Sequence, residues 1–159
     1  ETVLLILAAL LVVAGTAVGA LHVIAPLDLL DTAVGGANFT FVVGAGILGV
    51  GAGLHHWVDE LTGPEGHRDG LILLGGLAIA SGIVLSGMTD LISGLLDQTD
   101  FTGVTLAAAG NPNSGVDALN LVSMIGSFAV VGGLATWMLA GGLVTAANRT
   151  SGGEERGGS

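Results

Sequence analysis

The only side chains in this 159-residue sequence suited to strong haem or transition-metal ligation are four histidines, because the chain has no cysteine. A membrane haem held by two histidines needs them to face one another across a helical bundle at similar depth. His22 stands near the end of the first apolar stretch, His55 and His56 close to the end of the second, and His67 in the loop that follows. In antiparallel helices His22 and the adjacent pair lie near opposite surfaces, and neighbours on a helix point about 100° apart. A structural or interfacial role is therefore expected for the histidines, with Trp57 as an interface anchor. Asp59, Glu60 and Glu65 read as a solvated loop. The missing cysteine also excludes a disulfide framework, a thiol nucleophile, a thiolate zinc site and an iron-sulfur cluster. Three basic residues, all arginine, cannot neutralise a phosphate backbone, which excludes nucleic acid as a partner.

The elements that must position these residues follow from composition. Hydrophobic residues make up 51% of the chain and charged residues 10%, with 29 glycines and a mean hydropathy of +0.85. A soluble domain carries about a quarter charged residues, so the solvent expected here is lipid. Membrane-spanning helices need roughly 20 mainly apolar residues, and four stretches qualify: Val3 to Ile24, Asn38 to Val58, Leu71 to Met88 and Leu119 to Ala147. All charged residues fall outside them, as expected when a charge at the bilayer centre costs several kcal/mol. The expected fold is an all-α integral membrane four-helix bundle over residues 1–149, followed by a flexible polar tail over 150–159. The first span lacks a basic n-region and reads as a retained helix, not a signal peptide. Arg68, Arg149 and Arg156 share the face of the termini, whereas Asp28, Asp31, Asp90, Asp97, Asp100 and Asp117 lie on the other. The positive-inside rule then puts both termini in the cytoplasm of a cell whose plasma membrane the chain crosses several times.

Close helix contacts in lipid favour small residues at four-residue spacing. On this ground Ala45, Gly49 and Gly53 mark a contact face of the second helix, with Gly44, Leu48 and Ala52 beside it. Gly76 and Ala80 do so on the third, and Gly132, Thr136 and Ala140 on the fourth. Between the third and fourth spans, Leu91, Ile92, Leu95 and Leu96 oppose Asp90, Asp97 and Asp100, which predicts a short amphipathic helix at the outer interface over Asp90 to Phe101. With no ionisable residue in mid-membrane, a transporter is the least favoured function. The sequons at Asn38 and Asn148 are three-residue patterns, and the second faces the cytoplasm in this orientation.

Several residues, in order, give the chain a resemblance to the last four helices, the ninth to the twelfth, of haem-copper (cytochrome c) oxidase subunit I. Leu27-Asp28 and Asp31-Thr32 match a pair of motifs before the family's tenth helix. Ala37-Asn38-Phe39-Thr40 stands where the family has Ala-His-Phe-His, and His56-Trp57 with Thr62-Gly63 matches the following aromatic stretch and turn. Leu85-Ser86-Gly87-Met88 matches the end of the eleventh helix. Asn120, Ser123 and Gly126-Ser127-Phe128 match the start of the twelfth.

The departures carry as much meaning. The positions of the family's haem-ligating histidines hold Asn38 and Thr40, neither a strong axial ligand. The arginine pair that meets the haem propionates is replaced by Thr89 and Asp90, and the family's magnesium-site histidine by Leu30, leaving Asp31 as the one retained residue of that metal site. The resemblance implies a chain that kept a fold and lost its redox chemistry. It points to a non-catalytic, cofactor-free accessory subunit of a respiratory terminal oxidase, with no metal of its own, and with haem and copper in a partner subunit. The expected partners are the catalytic and other subunits of that complex and the lipid bilayer. An alternative is one piece of a split subunit I that completes a redox centre with another chain. The acidic loops suit either a docking surface or adaptation to high salt, since 13 acidic residues face no lysine.

Overall fold

A computed structural model describes residues 2–21, 23–24, 32–62, 66–95 and 114–154, with side chains described except at 59, 61–62, 66–68, 114–117 and 142–154. The described chain is all-helical. Helix α1 covers Thr2–Leu21, α2 Val34–Thr62, α3 Gly66–Leu95 and α4 Ser114–Glu154. Each contains a segment long and apolar enough to cross a membrane: Thr2–Leu21, Val34–Val58, Asp69–Leu95 and Ala118–Gly141.

The inward face of α1 consists of Leu4, Ala8, Leu11, Gly15 and Val18, alternating steps of four and three residues. That repeat averages 3.5 residues and keeps one seam against its neighbours. A methyl placed on Gly15 would come within 3.2 Å of the Phe41 Cβ, one on Gly19 within 3.3 Å of the Asn38 amide nitrogen, and one on Gly49 4.0 Å from Ala8. Residue numbers rise along α1 as they fall along α2, so the two helices are antiparallel. By the same logic a methyl on Gly87 would lie 2.8 Å from the Phe41 ring and one on Gly44 2.5 Å from the Ile83 side chain, which makes α2 and α3 antiparallel. Leu4 covers Gly76, so α1 also touches α3, and since both run antiparallel to α2 they run in the same direction.

The closest pairing joins α3 to α4. A methyl on Gly126 would lie 2.7 Å from the Gly82 carbonyl oxygen, and one on Gly75 2.9 Å from that of Gly133. Gly75 and Gly82 are seven residues apart, as are Gly126 and Gly133, so two bare patches on each helix meet two on the other. Backbone is thereby packed on backbone, which is how helices associate where lipid removes the hydrophobic drive. Leu4, Val34, Leu48 and Ile79 are the largest fully buried side chains. Helix α3 is the hub: 50% of its span is buried, against 11% of α4, which sits on the outside.

Polar groups inside these helices fold back on their own backbone. The hydroxyls of Thr16, Thr89 and Thr136 donate to the carbonyls of Val12, Leu85 and Gly132 at 2.7–2.8 Å. An apolar solvent offers them no other partner. At the end of α1 the N–H groups of Val23 and Ile24 donate to Ala20 and Leu21, tightening the last turn. At the start of α2 the Val34 N–H donates to the Thr32 hydroxyl at 3.4 Å.

The helix boundaries differ from the expected spans at both ends of the chain, and three of the differences matter here. Helix α2 begins at Val34, ahead of Asn38. Asp90 to Leu95 continue α3 without a break, so the separate interfacial helix does not begin at Asp90, and the rest of that stretch lies outside the described residues. Asp90 and Asp69 accordingly fall inside the apolar span of α3, correcting the expectation that every charge lies beyond the spans. Helix α4 runs on through Thr150–Glu154, residues expected to open a flexible tail. The reason is common to all: hydropathy drops at a polar residue, but the hydrogen-bond ladder of a helix does not stop there.

On α4 the contact stripe includes the expected Ala140, which is fully buried, but runs through Gly133 in place of the expected Gly132. Gly133 meets α3, whereas Gly132 and, on α2, Gly53 face outward with no neighbour within 4 Å of an added methyl. Gly126→Leu should therefore destabilise the helix assembly by about 1–3 kcal/mol or more through overpacking. Gly132→Leu should leave it unchanged. Unfolding free energies measured in detergent micelles distinguish the two.

Candidate functional site

Two polar regions stand at opposite ends of the bundle. At the end where α1 starts, Trp137 of α4 reaches between α2 and α3. A methyl on Gly51 would overlap its ring, and one on Gly75 would come within 2.6 Å of it. The indole N–H donates to the Ile72 carbonyl at 2.8 Å. A helical carbonyl is flanked by the side chains three and four positions on; at Ile72 these are Gly75 and Gly76, which leave the oxygen open to a second helix. The His55 ring packs edge-on against Trp137, centroids 5.3 Å apart at 78°, an arrangement the ring quadrupole favours. His55 also borders a recess of about 340 Å³ with Thr2 and Asp69.

The other region is a crevice of about 460 Å³ between α2 and α4, floored by α3. Thr40, Ser86, Asp90, Ser123 and Ser127 supply its polar wall, and Val43, Ile47 and Ile83 part of its apolar one. The Ser86 hydroxyl donates to the Ser123 carbonyl at 3.2 Å, across from α3 to α4, and Ser127 donates to the same oxygen at 3.0 Å. Here again a glycine, Gly126, lies three residues beyond the carbonyl and leaves it accessible.

The residues singled out in the sequence are dispersed among these features. Asn38 and Thr40 leave α2 in different directions: Asn38 lies against Gly19 of α1, whereas Thr40 lines the crevice with Asp90. Thr89, beside Asp90, is buried and bonded to its own helix. Asp31 and His22 lie outside the described residues, as does the side chain of His67. His55 is half-buried and His56 exposed, in line with their divergent directions. Trp57 is 70% exposed. Among the described residues no three histidine or carboxylate groups converge as a metal site would require. Of the packing residues, Ala45, Gly76 and Ala80 are buried between helices and Gly49 is half-buried near Ala8.

Trp137 was not foreseen from the sequence. Its signal is the pair Gly51 and Gly75, two vacancies on different helices at the depth of one large ring. Trp137→Phe removes the N–H and should cost about 1 kcal/mol. Trp137→Ala also empties the space between Gly51 and Gly75 and should cost about 3–5 kcal/mol. Unfolding in micelles, followed by helical circular dichroism, measures both.

No protein-family model, curated protein or solved structure matches this chain. Its functional reading therefore comes from its own residues and their placement.

Proposed function

We propose that the chain is a non-catalytic, cofactor-free accessory subunit of a respiratory haem-copper oxidase complex, related to the C-terminal four helices of subunit I. The observation that carries this reading is the ordered set of family-like motifs in which the haem-contacting positions have changed character: Asn38 and Thr40 for the ligating histidines, Thr89 and Asp90 for the propionate-binding arginines. Asn38 packs on Gly19 of α1 while Thr40 opens to the crevice, so the two positions do not face a common centre. The broad apolar faces left outward on α1 and α4, including Leu10, Val13, Phe128 and Met138, provide surface for lipid and for larger neighbouring subunits. In this reading the chain works in the plasma membrane as a scaffold beside a subunit that holds haem and copper.

Extraction in mild detergent tests the proposal. The chain should co-purify in fixed ratio with a haem-bearing oxidase subunit, and the isolated chain should lack reduced-haem absorption bands. A reduced-haem band that disappears on replacing His22 or His56 would sink the cofactor-free reading and favour the split-subunit alternative. A lone, stable, transport-active bundle would overturn both.

A further inference from the structure

We infer that the crevice between α2 and α4 is a binding site for a single-chain amphiphile with a primary ammonium head, entering sideways from the bilayer. This inference is independent of the oxidase reading. It starts from what the polar wall can offer. The protons of Ser86 and Ser127 are committed to the Ser123 carbonyl. Toward the crevice these two hydroxyls therefore present oxygen lone pairs, and Asp90 adds a carboxylate. Such a wall is matched by a head that donates several hydrogen bonds and carries positive charge. The Asp90 carboxylate repels an anionic head.

The shape specifies the rest of the ligand. A second apolar recess of about 510 Å³ adjoins the crevice, sharing Val43 and Ile47 with it, and is lined further along by Gly51, Leu54 and Trp137. From Asp90 to the level of Gly51 is about 20 Å along the helices, the reach of one long alkyl chain. Depth then separates two kinds of ammonium lipid. Asp90 lies about 12 Å along α3 from Gly82, which faces Gly126 near the middle of the spans, and the hydrocarbon half-thickness is about 15 Å. The carboxylate is thus at the edge of the hydrocarbon, below the phosphate layer. An ethanolamine phospholipid holds its ammonium outside its phosphate, too far out to reach it. An ammonium joined directly to the chain reaches it without strain.

Trp137 at the foot of the recess reports occupancy. In the Trp57→Phe protein, held in detergent micelles, ω-bromohexadecylamine should quench Trp137 fluorescence saturably, because its terminal bromine reaches the indole. The corresponding ω-bromo carboxylate and ω-bromo trimethylammonium compounds, one of wrong charge and one without N–H donors, should quench only in proportion to their partition into the micelle. Asp90→Asn should weaken the amine about tenfold, the scale of one charge-assisted hydrogen bond. Val43→Phe, which fills the passage between the two recesses, should abolish saturable quenching with Asp90 intact. Equal quenching by all three head groups, or an unchanged affinity in both variants, overturns the inference.

Discussion

The structure depends on the contact of bare backbone with bare backbone along the seam between α3 and α4. In lipid an apolar side chain gains nothing by leaving the solvent for a neighbouring helix, so association relies on closeness and on polar groups that find one another. Gly75, Gly82, Gly126 and Gly133 supply the closeness. Glycine is a weak helix former in water, but a bilayer enforces the hydrogen-bond ladder regardless. A sequence with 29 glycines can therefore be helical and tightly joined at once.

The polar part of that seam is reciprocal. Near one end an α3 side chain, Ser86, donates to an α4 carbonyl, Ser123; near the other an α4 side chain, Trp137, donates to an α3 carbonyl, Ile72. The two bonds are two heptads apart on both helices and bracket the glycine contacts. Each acceptor is reachable because a glycine stands three residues beyond it. Helix α2 approaches α4 through the Trp137 ring at Gly51, and the crevice lies along the remaining length, where Thr40, Ser86 and Asp90 line a common wall. Packing at one end thus leaves the polar space at the other.

Much of this architecture was legible in the sequence. Four apolar stretches, their order and the small residues near their contacts follow from hydropathy and spacing alone. The phase of the contacts does not, because a glycine-rich helix shows small residues at four-residue spacing on several faces; nothing local distinguishes Gly133, which meets α3, from Gly132, which does not. Helix ends were misplaced wherever a polar residue interrupted the apolar run, at Asn38 and at Asp90. The polar wall was hidden for another reason: Thr40, Ser86, Asp90 and Ser127 come from three helices, and only the antiparallel register gathers them. The resemblance read in the sequence drew attention to Asn38 and Thr40 as replaced ligands and to Thr89 and Asp90 as replaced propionate partners, while the geometry distributes them between a helix contact, a crevice and a backbone bond.

The way the indole of Trp137 occupies the space left by Gly51 and Gly75 has a consequence for how the sequence can drift. A side chain added at either glycine meets the ring, and a smaller residue at 137 leaves both glycines facing a void. The three positions, on three different helices, form one unit of inheritance. Single changes within it are penalised, and tolerated variants must arrive in compensating combinations, whereas outward positions such as Gly132 and Gly53 are free to vary one at a time.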